Sequence, residues 1–160
     1  MPKLSHFDRE GRARMVDVSA KPVTKRVAMA SGRVLMKAQT LERIINKEIE
    51  KGDVWGVARV AGIMAAKRTG EMIPMCHPLT IESVEIRFQP DVRHSEVRIE
   101  ALVKSTGKTG VEMEALMATA AAALTIYDMC KAIDRGMIIS DIKLLRKSGG
   151  KSGTYLRAEE

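Results

Sequence analysis

Hydrophobic and polar residues alternate in three stretches of the chain, which is the pattern of a β-strand with one buried face. These stretches are residues 25–37, 84–88 and 97–103, and a last strand is predicted at residues 138–145. Residues 90–95 supply turn-forming side chains between the second and third stretches, so an antiparallel hairpin is predicted there. In the first stretch the apolar positions change parity across Gly32, which we interpret as a bulge with a change of face.

Apolar residues recur at helical spacing in the remaining segments and predict three helices. The first follows an N-cap at Thr40 and stops at Gly52, and the second covers residues 53–68. The second helix is rich in glycine and alanine, so another backbone can approach it closely and we expect it to be buried. The third and longest helix covers residues 111–134 and stops at Gly136.

The order strand, helices, strand, strand, helix, strand is that of a split β-α-β motif. We therefore predict an α+β, ferredoxin-like fold, in which helices pack on one face of an antiparallel sheet. The chain has 160 residues, the length of one ordinary domain, so residues 1–160 are expected to form a single domain. Residues 1–20 lack a sustained period and residues 148–160 contain three glycines, so both ends are expected to be flexible.

Charge and aromatic content narrow the class of ligand. The chain carries 27 Lys and Arg residues against 20 Asp and Glu residues, and this net charge of +7 favours an anionic partner. Aromatic residues make up only 3% of the sequence, too few for a platform on which nucleic-acid bases stack. A small phosphorylated molecule is therefore favoured over nucleic acid.

The lengths of the apolar runs and the number of cysteines indicate the cellular compartment of the protein. No run approaches the ~20 apolar residues that a membrane helix needs, and residues 1–14 lack the apolar core of an export signal. We therefore expect a cytoplasmic protein with no membrane partner. Cys76 and Cys130 form no C-x-x-C pair, so reduced thiols are expected and a zinc site is not.

Two segments combine glycine with lysine: residues 106–110, the first glycine–lysine segment, and residues 149–153, the second. Neither is a Walker loop, because Leu102 and Leu145 stand where that pattern requires glycine. The first segment leads into a predicted helix N-terminus, which favours an anion, although a glycine-rich turn with a solvated lysine is the simpler alternative. The second lies in a basic stretch that forms either a flap over phosphates or a solvated tail.

The tripeptide Met75-Cys76-His77 lies between two prolines, Pro74 and Pro78, which stiffen the loop and suit it to ligand contacts. A lone histidine is more often structural than catalytic. Adjacent Cys and His side chains cannot easily chelate one metal ion, so no metal site is predicted.

The longest predicted helix has acidic residues at both ends. Glu112 and Glu114 lie in the first turn, where the helix dipole favours acidic residues whether or not they have a function. Asp128 and Lys131 could likewise be an ordinary surface ion pair. Glu114 and Asp128 are 14 positions apart, about 21 Å along a helix that rises ~1.5 Å per residue. One small reacting centre cannot touch both in one chain, so if both act, two chains share each site.

Several short segments together are highly specific for one family. They are residues 15–19, 51–54, 65–69, 73–79, 106–116, 124–132 and 147–153. In these segments the chain resembles the cyclic pyranopterin monophosphate synthase family of molybdenum cofactor biosynthesis, MoaC. The resemblance implies a ferredoxin-like homohexamer, built as a trimer of dimers, with active sites at the dimer interface.

The resemblance also implies a reaction. An upstream radical enzyme supplies (8S)-3′,8-cyclo-7,8-dihydroguanosine 5′-triphosphate, which is rearranged to cyclic pyranopterin monophosphate with release of diphosphate. The residues that the resemblance marks as catalytic are Lys51, Asp128 and Lys131, and those that it marks as substrate contacts are Met75, Cys76, His77, Met113 and Glu114. We add Glu112, Lys67, Arg68, Lys147 and Lys151 as candidate substrate-binding residues, the basic ones as phosphate partners.

Acids and bases suffice for such a rearrangement, so no cofactor is expected, while Mg²⁺ bound with the triphosphate stays open. A lysine near other cations loses its proton more readily, so Lys51 or Lys131 could serve as acid or base with Asp128 orienting it. The alternative is a non-catalytic nucleotide-binding regulatory module on the same fold, which would need cations but not this acid–base set with His77. An RNA-binding sheet is disfavoured, because residues 96–105 contain no aromatic side chain.

Overall fold

The structure is a computed structural model that describes residue 8 and residues 10–158. Its elements in chain order are β1 (Thr24–Leu35), α1 (Ala38–Ile45), α2 (Val54–Lys67), α3 (Thr69–Met72), β2 (Ser83–Asp91), β3 (Glu96–Gly107), α4 (Glu112–Cys130), β4 (Ile138–Ser148) and β5 (Tyr155–Leu156). None of the helices in the described ranges is long and apolar enough to cross a membrane.

The five strands form one antiparallel sheet in the order β2-β3-β1-β4-β5, with helices packed on one side. The predicted α+β, ferredoxin-like fold is confirmed. Strand β1 lies at the centre, and its register with β3 runs without interruption from Thr24 opposite Gly107 to Leu35 opposite Glu96. Side chains of β1 can therefore reach the ends of both neighbouring strands.

Even-numbered residues of β1 face the helices, and Ala28, Ala30 and Val34 among them are fully buried. The core consists largely of small side chains, so the helices can approach the sheet and each other closely. At Gly62 in α2 an added Cβ would lie 2.8 Å from the main-chain oxygen of Ala118 in α4. Only glycine lets the two helices cross at this distance.

The bulge predicted at Gly32 is found in part. Pairing between β1 and β4 is irregular there, since Ser31 lies opposite Lys143 and Arg33 opposite Ser140. The extra residue belongs to β4, however, where Asp141 has a positive φ of 54°. The predicted change of face in β1 is wrong, because the even-numbered positions 26–34 are buried on both sides of Gly32, where Ser31 is buried as well.

Element ends differ from the predictions where local signals compete. Helix α1 ends at Ile45, well before Gly52, and Thr40 lies inside it, with its hydroxyl donating to Asp134 Oδ2 at 3.1 Å. Helix α4 ends at Cys130, four residues before the predicted end at 134. Helix α3 and strand β5 were not expected. Strand β5 lies within residues 148–160, whose flexibility stays a prediction.

Candidate active site

A cavity of about 300 Å³ lies at the start of α4. The loop after α3 and the first turn of α4 form most of its wall. Six of the predicted substrate-binding residues line the cavity: Met75, Cys76, His77, Glu112, Met113 and Glu114. Side chains from two distant parts of the chain are thus brought together, as expected for a ligand pocket.

Glu114 is the buried acid of this cavity, with only 3% of its surface exposed. Burial raises the pKa of its carboxyl from 4.5 to about 7, against the opposing effect of its own backbone amide and with a further increase from the charge of Glu112. A carboxyl that titrates near neutral pH can both give and take a proton.

His77 is held in one tautomer by the N-terminal segment. Its Nε2 lies 2.7 Å from the main-chain oxygen of Val16. A carbonyl oxygen only accepts hydrogen bonds, so Nε2 carries the hydrogen and Nδ1 of the neutral ring is an acceptor. Burial and the nearby charge of Glu114 raise the pKa of the Cys76 thiol, which disfavours a nucleophilic thiolate there.

Lys51, Asp128 and Lys131 meet at the other end of α4 and form the lysine–aspartate cluster. Lys51 Nζ donates to Asp128 Oδ2 at 3.2 Å, and Lys131 Nζ donates to Asp128 Oδ1 at 2.6 Å. These hydrogen bonds, that of Lys131 first, lower the pKa of the Asp128 carboxyl. All three side chains are about half exposed, so a substrate could reach them.

One chain does not bring the cavity and the lysine–aspartate cluster together. Glu114 lies in the first turn of α4 and Asp128 in its last turn, and the helix is continuous between them. Their separation of 14 positions corresponds to about 21 Å along the axis. The two groups of predicted site residues therefore form two separate half-sites on each chain.

The four basic residues added as phosphate partners lie outside the cavity wall. Lys67 and Arg68 are exposed at the end of α2. Lys147 Nζ donates to the Ser152 hydroxyl, and Lys151 is exposed.

Sequence reasoning missed the contribution of the N-terminal segment to the cavity. Val16, Val18 and Lys21 line it together with Thr109 and Gly110. A second anchor of this segment is Lys108, whose Nζ donates to the main-chain oxygen of Ser19 at 2.7 Å. Residues 15–19 were part of the family resemblance, and that was the one available signal.

An antiparallel sheet that supports a cavity with a buried acid, and a separate lysine–aspartate cluster, define an α+β protein equipped for acid–base chemistry on a polar small molecule. The sequence matches the model of the MoaC family over residues 15–150. The chain belongs to this family.

Several relatives named "Cyclic pyranopterin monophosphate synthase" match almost the whole chain. The protein of Heliobacterium modesticaldum is 60% identical over 159 residues, which cover 99% of this chain and 100% of the relative. That of Desulfitobacterium hafniense is 62% identical over 157 residues, covering 98% and 96%. That of Clostridium acetobutylicum is 60% identical over 154 residues, covering 96% of each chain.

Proposed function

We propose that the protein is a lyase of molybdenum cofactor biosynthesis that forms cyclic pyranopterin monophosphate, the product for which its relatives are named. The structural observation that carries the proposal is the lysine–aspartate cluster, in which two ammonium groups share one exposed carboxylate. A module that only binds nucleotides would need positive charge but no such acid–base group. The net charge of +7 suits a triphosphate substrate.

The cavity is the proposed site for the ring system of the cyclised dihydro-GTP. A guanine-derived ring presents N–H donors, and the carboxyl groups of Glu112 and Glu114 can accept them. The Glu114 carboxyl, with a pKa of about 7, can also move a proton while the five-membered ring opens and the pterin ring closes. A neutral His77 ring would offer Nδ1 as an acceptor, because Nε2 faces the main-chain oxygen of Val16.

The lysine–aspartate cluster is proposed to move the other protons of the reaction. A ribose hydroxyl attacks the α-phosphorus, its proton passes to a base, and the bond from that phosphorus to the bridging oxygen breaks as diphosphate leaves. Lys51 and Lys131 are the candidate acid and base, and Asp128 orients both. No step changes an oxidation state, so the scheme requires no redox cofactor. Mg²⁺ could accompany the triphosphate as part of the substrate.

Each complete site is proposed to combine the cavity of one chain with the lysine–aspartate cluster of a second copy. The axial separation of about 21 Å supports this, because one substrate cannot span both half-sites of a single chain. Val57, Val60 and Met64 expose apolar side chains at helical spacing on α2, and Leu124 does so on α4. These exposed positions lie between the half-sites, where a partner chain would cover them.

The assembly and its setting follow from the same proposal. Family resemblance favours a homohexamer built as a trimer of dimers, in the cytoplasm. An upstream radical enzyme would supply the cyclised substrate.

The direct test is to incubate the purified protein with the cyclised dihydro-GTP and to measure diphosphate and the cyclic product. Stoichiometric release of both is the expected result. An Asp128→Asn variant is the matched control, because it keeps the size of the side chain but removes the charge that holds both lysines. Tight binding of the substrate without diphosphate release would instead indicate the nucleotide-binding module.

A further inference from the structure

Arg26 is a buried arginine on the central strand, with 7% of its surface exposed. Its Nε donates to the main-chain oxygen of Gly107 at 3.3 Å, and its Nη1 donates to that of Gly149 at 3.2 Å. Gly107 ends β3, and Gly149 follows the end of β4. Because β1 lies between these strands, one guanidinium group reaches both of their ends.

The two acceptors belong to the two glycine–lysine segments, which are far apart in the sequence. Gly107 is part of the first segment, and Thr109 and Gly110 of that segment line the cavity. Gly149 is the first residue of the second segment, which includes Lys151 and begins two residues after Lys147. Arg26 therefore connects the cavity wall to the basic C-terminal segment.

The second segment is shaped to lie against the guanidinium group. Gly149 and Gly150 have φ angles of 101° and 73°, a region that residues with a Cβ rarely adopt. An added Cβ at Gly150 would overlap the guanidinium atoms of Arg26, and one at Gly149 would overlap the main-chain oxygen of Lys25 and lie 3.2 Å from Arg26 Cδ. Glycine at both positions thus permits a contact that other residues would block.

The charge of Arg26 has no carboxylate partner among the described residues, since none of the ion pairs there includes it. An arginine stays protonated, and main-chain carbonyls neutralise its charge only in part. The surroundings of Arg26 therefore favour an anion, and lysines of both segments add to that potential.

We propose that Arg26 is a positioning residue that holds the two glycine–lysine segments together as one subsite for a diphosphate group. The proposal rests on the proposed function, in which diphosphate is the leaving group. Arg26 acts through the segments: it fixes their backbones, and their amides and lysines bind the phosphate oxygens.

The test uses the assembled full-length protein and inorganic diphosphate as the probe. Hydrogen exchange of the backbone amides of both segments is measured with and without diphosphate, alongside its Kd. In the wild type, diphosphate should slow exchange in both segments. Arg26→Lys keeps the charge but loses the two-armed geometry, so we expect about tenfold weaker binding and loss of protection in both segments. Arg87→Lys, at an exposed arginine of β2, is the matched control.

Steady-state kinetics separate positioning from a purely structural effect. Arg26→Lys should raise KM for the cyclised substrate about tenfold while kcat changes much less. Gly150→Ala perturbs the same contact from the other side and replaces Arg26→Lys if that variant does not fold. An unchanged diphosphate Kd, loss of protection in only one segment, or no protection in the wild type would each overturn the proposal. Diphosphate binding without turnover would refute the proposed function and leave the subsite intact.

Discussion

The Lys51 ammonium group donates to both the main-chain oxygen and the carboxylate of Asp128, at 2.9 and 3.2 Å, although 77 positions separate the two residues. Lys51 stands just before α2 and Asp128 in the last turn of α4. The contact therefore depends on how these two helices pack. Lys131 occupies the other oxygen of the same carboxylate at 2.6 Å.

Removing either lysine should abolish most turnover without loss of fold. Lys51→Ala and Lys131→Ala are each expected to lower kcat by at least ~100-fold, the usual effect of losing an acid–base group. Both side chains are about half exposed, so the melting temperature should stay within a few degrees of the wild type. Lys104→Ala, at an exposed lysine of β3, serves as the control. Turnover near that of the wild type would remove the lysine concerned from the mechanism.

The basic C-terminal segment should act on binding more than on chemistry. A Lys147→Ala, Lys151→Ala double variant is expected to weaken affinity for a non-reactive triphosphate analogue, measured by titration calorimetry, because two phosphate partners are lost. The effect should shrink as salt is added, since screening weakens exposed charges. Equal affinity of the double variant and the wild type would identify both lysines as solvated charges.

Two inactive variants should complement each other if sites are shared. A His77→Ala chain lacks a cavity residue and an Asp128→Asn chain lacks the centre of the lysine–aspartate cluster. After random reassembly about half of the dimers are mixed, and each mixed dimer rebuilds at most one of its two sites, so recovery is limited to about one quarter of the wild-type activity. The mixed assemblies are confirmed by native mass spectrometry. If confirmed mixed assemblies recover no activity, these two half-sites do not combine across chains.

Glu114 should make stability depend on pH. The folded chain holds the Glu114 proton up to a pKa of about 7, whereas the unfolded chain loses it near 4.5. Between these pH values the folded state binds more protons than the unfolded state. The free energy of unfolding is therefore unaffected by the ionisation of Glu114 below pH 4.5 and falls by up to about 3 kcal/mol as the pH rises to 7.

Glu114→Gln removes that dependence. The free energy of unfolding of the wild type should fall between pH 5 and pH 8, and that of the variant should fall less. Both are measured by urea unfolding at one protein concentration. Glu42→Gln, at an exposed glutamate of α1, controls for the general loss of an acidic charge. A pH dependence identical in Glu114→Gln and the wild type would show that this carboxyl is not the group that titrates.

The fold was predictable because its signals are local. Alternation along β2 and β3 and the long apolar period of α4 are visible in any short window of sequence. The end of α1 was not predictable. The chain turns at Lys47 with a positive φ of 58°, and a lysine in the sequence does not indicate such a turn. Strand β5 has two exposed residues and depends on pairing with β4, so it has no pattern of its own.

The site was predictable only as separate groups of residues. His77 and Asp128 were named from their motifs, and the structure shows which neighbours each group has. The importance of Arg26 could not be read from its surroundings in the sequence. Its contacts lie 81 and 123 positions away and exist only once β1 is enclosed between β3 and β4.

The close crossing of α2 and α4 at Gly62 has an evolutionary consequence. Any larger side chain there must push against the main chain of Ala118, and the helices would separate. The first turn of α4 forms the cavity and its last turn meets Lys51, so one such shift would alter both half-sites together. The neighbouring residue Ala122 is already small, so replacing it by glycine would make almost no room for a larger side chain at position 62. Position 62 should therefore change as slowly among descendants of this chain as the residues that touch substrate.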